Sequence, residues 1–243
     1  MQLADMTWPA VDALDRNTPV VIPVAALEQH GHHLPVFTDS MLLGEVVRRA
    51  APPLADKVLL VPLIWLGSSC HHLDFAGSLS AGPRIYLDLL NNLIDNWIGH
   101  GFRRIVFLNG HGGNIVPGRQ VLHEARQRYR QRDDLLLLFA TYWNVGGRGR
   151  QIPDMFQQKD MGHACEWETS MILRLTPHLV GPIDKLEDVD AGFAYEPAFQ
   201  GWITKDRTVK GHIGMPRHAT ADKGEWLFST FAKDVVAFFE KLA

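Results

Sequence analysis

The sequence predicts an α/β fold: one domain over residues 1–243, with a mainly parallel sheet flanked by helices on both faces. Three observations carry that expectation. Short β-branched, apolar runs alternate with longer stretches of helical period, the pattern of strand–helix–strand crossovers. The runs are near-continuous in apolar character, as strands buried on both faces are. The 243 residues, 46% hydrophobic and 21% charged, suffice for one sizeable core without a disulfide framework.

Taken in order, Pro19–Leu27 reads as the first, buried strand. Asp39 and Ser40 are placed to cap a helix that runs through Arg49 and is ended by Pro52 and Pro53. Val58–Leu66 reads as the second strand. Ile85–Ile98 carries apolar residues at helical spacing, with Gly101 as its C-terminal stop. Arg104–Leu108 is the third strand; a glycine-rich turn and a charged helix around Gly118–Arg130 follow. Leu135–Tyr142 is the fourth. Beyond Trp143 the pattern loosens. Gly146–Arg150 is a polar loop, Glu166–Leu175 a helix before Pro177, and residues 181–216 loops and short strands. Thr220–Leu242 reads as a closing amphipathic helix.

Composition excludes several classes of function. Lys and Arg number 24 against 27 Asp and Glu, a net charge of −3 that provides no basic field for nucleic acid or a membrane surface. The longest apolar runs are too short to span a bilayer. The two cysteines, Cys70 and Cys165, form no disulfide framework, and Asp5 sits where a signal peptide carries positive charge; both point to the cytoplasm. What remains uneven is histidine. There are 12, with His30, His32 and His33 in one cluster and His71 and His72 in another.

Ligands in open α/β sheets bind beyond the carboxyl ends of the strands. The first strand runs out into Glu28-Gln29-His30-Gly31-His32-His33, and the third into Asn109-Gly110-His111-Gly112-Gly113-Asn114. Imidazole and carboxylate together suit Zn²⁺, Mn²⁺ or Fe²⁺, whereas structural zinc is thiolate-rich. Glu28 and His30 share one face of an extended segment, and Asp39 is close enough in sequence to fold back as a bridging carboxylate. A later cluster supplies His163, Glu166 and Glu168. The two glutamates are about 200° apart on a helix, so only one of them faces a site. His71 and His72 read equally as pocket or surface residues. Trp143, Trp167 and Trp202 read as core or as an aromatic wall.

These segments resemble the creatininase (creatinine amidohydrolase) family. Its opening signature, Glu-Gln-His-Gly-x-His-Leu-Pro-x-x-Thr/Val-Asp, is matched from Glu28 to Asp39. The Asn-Gly-His-Gly-Gly-Asn turn at Asn109–Asn114 and the His-Ala-x-x-x-Glu-Thr-Ser element at His163–Ser170 match two more, and Gly211–Gly224 is similar to the family's C-terminal segment. The resemblance implies two divalent metal ions, Zn²⁺ and/or Mn²⁺ with Fe²⁺ as a further option. Glu28 and His111 would hold one ion and His30 the other, with Asp39 bridging. His163 would be the catalytic histidine, and Glu168 a ligand or a supporting carboxylate. It also implies a homo-oligomer, often a hexamer, acting on a small-molecule substrate. Creatininase proper has a glutamate where this chain has Gly113, so another carboxylate must complete the second ion: Glu168, with Glu166 as the spare. His32 replaces the family's proline, Cys165 a glycine and Lys159 a tryptophan, so the metal centre transfers better than the substrate pocket.

The reaction so implied is hydrolysis of a C–N bond in a small amide, cyclic amide or formamide by metal-activated hydroxide, with His163 moving the proton to the leaving nitrogen. Backbone N–H groups around Gly112 and Gly113 would assist the oxyanion. Two rivals stand beside it. One is a metal-binding scaffold of the same fold without turnover, for which the glutamate absent at Gly113 is the best argument. The other is a cysteine-dependent hydrolase built on Cys70 or Cys165.

Overall fold

In the computed structural model, which describes residues 1–147, 151–190, 192, 195 and 197–242, the strand at the centre is β1 (Val20–Val24). All five of its residues are buried. Successive side chains of a strand point to opposite faces, and here each face has its own core. Val21 packs with Leu42, Val46, Phe228 and Phe231. Val20, Ile22 and Val24 pack with Tyr86, Leu90, Ile94 and Val121. β3 (Arg104–Asn109) divides in the same way, Val106 and Leu108 to the first core, Ile105 and Phe107 to the second.

The sheet is parallel throughout, in the order β2-β1-β3-β4, with β2 at Leu59–Leu60 and β4 at Leu136–Thr141. Helix α1 (Trp8–Asp12) precedes it. Helices α3 (Pro83–Gly99) and α4 (Ile115–Arg128) pack together on one face. On the other lie α2 (Thr38–Ala50), α5 (Glu166–Leu175) and α7 (Ala221–Glu240), with short α6 (Thr204–Arg207) in the preceding loops. Gly224 lets α7 cross α5 closely, because a Cβ there would lie 2.0 Å from the Ser170 carbonyl oxygen. Gly101 follows α3 at φ +88°, the left-handed stop that the sequence predicts. Among the described residues no helix is long and apolar enough to cross a membrane.

The structure corrects three expectations. The second strand is far shorter than Val58–Leu66. Pro23 directs its carbonyl toward this edge, accepting from Ile64 N at 2.9 Å, but has no N–H to return, and Pro62 removes another donor. The ladder therefore breaks after Leu60 and resumes only as an isolated bridge between Val24 and Ile64. Asp39 and Ser40 do not cap α2. Both lie inside its first turn; Ser40 Oγ donates to the Ala26 carbonyl at 2.9 Å, and Asp39 turns to the histidines described below. The fourth helix begins at Ile115 rather than Gly118, since the 3₁₀ turn Gly112–Asn114 leads straight into it. The loop expected at Gly146–Arg150 lies partly outside the described residues.

Candidate metal centre and active site

The chain leaves β1 for α2 on one face and β3 for α4 on the other. A crevice therefore opens between the carboxyl ends of these two neighbouring strands. The loop after β1 closes on itself through Glu28 N–H to the Val36 carbonyl at 2.9 Å, with Gly31 at φ +65° making the turn. Asn109 pins the loop after β3: its Oδ1 accepts from His111 N at 3.1 Å, and its Nδ2 donates to the His111 carbonyl at 2.7 Å. Asn114 Nδ2 ties that loop to the Ala25 carbonyl at 3.0 Å. His163 hangs on a two-way backbone bridge with Ile213, next to Ala164 at φ +48°, a left-handed conformation that a residue with a Cβ adopts at a cost.

These anchors bring every sequence-predicted site residue to one place. Asp39 lies between two imidazoles, Oδ1 at 3.2 Å from His30 Nε2 and Oδ2 at 3.0 Å from His111 Nδ1. Glu28 Oε1 is 3.3 Å from His111 Nδ1, 3.3 Å from His72 Nε2 and 3.6 Å from His163 Nδ1. Glu168 Oε1 is 3.8 Å from His30 Nε2. Glu166, on the opposite side of the same helical turn, is buried against Lys223 Nζ at 2.5 Å and takes no part. Glu28, His30, Asp39, His111 and Glu168 are all buried.

The hydrogen bonds fix which imidazole nitrogens carry protons. A backbone carbonyl can only accept, so His30 Nδ1 donates to Glu28 O at 3.1 Å, His111 Nε2 to Ser68 O at 3.1 Å, and His163 Nε2 to Gln29 O at 2.8 Å. In their neutral forms these three rings aim their remaining lone pairs at carboxylate oxygens. Lone pairs facing anions repel unless a cation lies between them. Glu28 Oε2, Asp39 Oδ2 and Glu168 Oε2 are also buried without a hydrogen-bond partner. Among the described residues, four overlapping triads of imidazole and carboxylate, Glu28 with His30 and Asp39, His30 with His163 and Glu168, Glu28 with His71 and His111, and Glu28 with His72 and His163, each bring their donor atoms within 4.8 Å of one another, and this chemistry fits divalent metal. Without a metal, a second proton on the ring takes the cation's place at His111. Burial opposes charge on His111, yet Glu28 and Asp39 outweigh it and push this imidazole up to about 10. Burial likewise disfavours the Asp39 carboxylate, but His30 and His111 hold it well below the usual carboxylate range. His163 moves the other way: burial, reinforced by His30, holds it well below its ordinary value.

A cavity of about 610 Å³ opens over this cluster. Its far side is lined by Trp143, Met161, Trp202, Thr204, Arg207 and Ile213. Arg207 stacks on the Trp202 ring at 4.7 Å, whereas Trp167 is buried in the core against Phe156 and Phe231. Gly113 has no room for a larger residue: a Cβ there would lie 2.3 Å from Ser68 O and 2.8 Å from His71. Cys165 is buried with its thiol pushed by burial up to about 12, and Cys70 faces Ser80 Oγ at 3.2 Å rather than an imidazole. Neither geometry suits a nucleophile. From sequence His72 reads equally as a surface residue, yet it is buried beside Glu28. Trp143 and Trp202, read there as core or wall, line the cavity, whereas the parts played by Gln29, Thr204 and Arg207 go unseen at that level. His72 has a signal, its place beyond a strand end; Thr204 and Arg207 have none, because they come from an aperiodic segment.

A parallel sheet with imidazoles and carboxylates gathered at its switch point defines an α/β protein with a metal-binding centre. The chain belongs to the creatininase family, whose model, described as creatinine amidohydrolase, matches residues 4–239, and it is a hydrolase of that family. It is 36% identical to the mycofactocin precursor peptide peptidase of Mycobacterium tuberculosis, covering 89% of this chain and 82% of that protein. It is 27% identical to the creatinine amidohydrolase of Pseudomonas putida, covering 96% and 94%. A mutant creatininase complexed with creatine superposes with a TM-score of 0.83 at 26% identity, over 99% of this chain and 98% of that one. Related creatininase structures include Zn–Zn and Mn forms.

Proposed function

We propose that this chain hydrolyses an amide C–N bond in a small amide, cyclic amide or formamide, using two divalent ions. The observation that carries the reading is Asp39 lying between His30 and His111, with lone pairs and unpartnered carboxylate oxygens converging around it. Glu28, His111 and Asp39 would hold one ion, and His30, Asp39 and Glu168 the other; the closed space at Gly113 supports Glu168 as the completing carboxylate. Bound there, Zn²⁺ or Mn²⁺ supplies an acidified water and a polarised carbonyl at neutral pH.

The remaining steps belong to the chain. His163, uncharged because of its burial, presents a free Nδ1 that accepts a proton and passes it to the leaving nitrogen. Backbone N–H groups at Gly112 and Gly113 on the cavity wall stabilise negative charge developing on the carbonyl oxygen. Trp143 and Trp202 confine the substrate. A second reading, cleavage of a peptide amide bond, is favoured by the 36% identity to a protein named as a peptide peptidase.

The test is elemental analysis of the purified protein, then turnover of lactams, cyclic ureides, formamides and short peptides. Loss of activity to a chelator and recovery with Zn²⁺ or Mn²⁺ are expected, without sensitivity to thiol alkylation. Activity that survives complete metal removal would sink the proposal. Two metals per chain with no hydrolysis across the panel would favour the scaffold. Turnover confined to the peptides would select the second reading.

A further inference from the structure

Gln29 lies behind the cavity, against His72 and His163, and among the described residues its side chain bonds to no carboxylate. Its side-chain oxygen accepts from Gly31 N at 2.8 Å, which fixes which end of the carboxamide is nitrogen. That nitrogen has two hydrogens and three neighbours: Gly211 O at 2.8 Å, His72 Nδ1 at 2.9 Å and His163 Nε2 at 3.0 Å. The Gly211 carbonyl, an obligate acceptor, takes one hydrogen. His163 Nε2 cannot take the other, because it donates its own proton to the Gln29 carbonyl. The second hydrogen therefore goes to His72 Nδ1, beside which Thr204 Oγ1 lies at 3.1 Å. His72 consequently carries its proton on Nε2, the nitrogen 3.3 Å from Glu28 Oε1. Gly211 is part of the arrangement: it adopts φ +87°, and a Cβ there would lie 2.1 Å from Gln29 Oε1.

We propose that His72 is a positioning residue: an N–H donor whose tautomer is set by Gln29 and which steadies the Glu28 carboxylate for its metal. The proposal rests on the reading of Glu28 as a metal-holding group. It divides the imidazoles by polarity. With metal bound, His30, His111 and His163 would present lone pairs to the centre, whereas His72 presents a hydrogen, which makes it a supporter of a ligand and not a ligand itself. Gln29 sets two of these polarities at once, through its backbone oxygen for His163 and its carboxamide for His72.

Two measurements test it. Histidine-labelled, metal-free protein is examined by ¹³C and ¹⁵N NMR, with the His72 resonances identified by their loss in His72→Gln. The Nε2–H tautomer is expected, and an Nδ1–H tautomer overturns the proposal. Zn²⁺ and Mn²⁺ affinities are then measured for His72→Gln, His72→Asn and His72→Leu, each checked for folding by circular dichroism. A glutamine amide reaches the position of Nε2–H, so His72→Gln is expected to stay within about 3-fold of wild type. Asparagine and leucine do not reach it, and are expected to weaken binding about 10- to 100-fold. Equal affinity in all three folded variants, or equal loss in all three, overturns the positioning role. The tautomer is read without metal or turnover. Protein that shows Nε2–H at His72 but binds no metal would sink both the metal-centre reading and the positioning role, and would leave the tautomer standing.

Discussion

The cavity has two sides, and they are built differently. On one side the imidazole–carboxylate cluster comes from strand ends and the first turns of α2 and α5: Glu28, His30, Asp39, His111 and Glu168 are buried, and His30 and His111 are held by bonds to backbone carbonyls. On the other, Trp202 and Arg207 come from the loops before α7 and are only half-buried. Val116, at the mouth, is 76% exposed. The sheet and its two cores hold the first group in place, so chemistry there tolerates little change. The second group rests on less of the core, and differences in substrate among relatives have room to arise there.

Four changes would break or sharpen that contrast. The largest effect is expected from His163→Ala, which should lower kcat by about 10²- to 10⁴-fold while metal content stays intact; normal turnover in that variant would remove His163 from the reaction. Gly113→Glu restores the residue of creatininase proper but forces a Cβ against Ser68 O and His71. It should destabilise the fold by about 1–3 kcal/mol in chemical denaturation rather than improve metal binding. Trp202→Ala should raise KM about 10-fold, about 1.4 kcal/mol, with kcat within about 3-fold. An equal fall in kcat would mean that the wall shares in the chemical step and that the two sides do not divide the work.

The smallest change lies far from the site. Hydrogen bonds from Arg49 draw Glu225 down to about 2, against the modest cost of burial, and Arg174 adds a bond at 2.7 Å. A depressed carboxylate stabilises in full above its ordinary value of 4.5 and loses that contribution as pH falls through its folded value. Solvent screens this half-exposed group, so Glu225→Gln should cost less than about 1 kcal/mol at pH 7, and the difference from wild type should vanish near pH 2 in urea titrations. A gap that persists there would assign the loss to packing.

The convergence of the imidazole–carboxylate cluster was largely legible in the sequence because most of its residues sit in short motifs immediately after buried strands, where local pattern and tertiary position coincide. That only one of Glu166 and Glu168 faces the cavity was legible for the same reason, because a helix fixes the direction of every side chain; the choice of Glu168 came from the family resemblance. The second strand was overread because an apolar run carries no mark of hydrogen-bonding capacity, and Pro23, on the neighbouring strand, helped to end it. His72 and Gln29 were harder. Their roles depend on which nitrogen holds a hydrogen, a property set by Gly211 from another part of the chain. The wall was legible only in part: Trp143 and Trp202 stood out as aromatic residues, but residues 181–216 have no period that would place Trp202 or Arg207.

The bridge between His163 and Ile213 links the two sides of the cavity. Ile213 lines the substrate space, and its backbone exchanges bonds of 2.9 and 2.7 Å with His163. Next along the chain, Gly214 pairs with Val189. A sequence change that widens or narrows the cavity at this point also tilts the imidazole to which the proposed mechanism gives the proton. Affinity and turnover are therefore not separately adjustable along this stretch: a variant recruited to a new substrate by altering residues 211–216 inherits a shifted kcat along with its new KM.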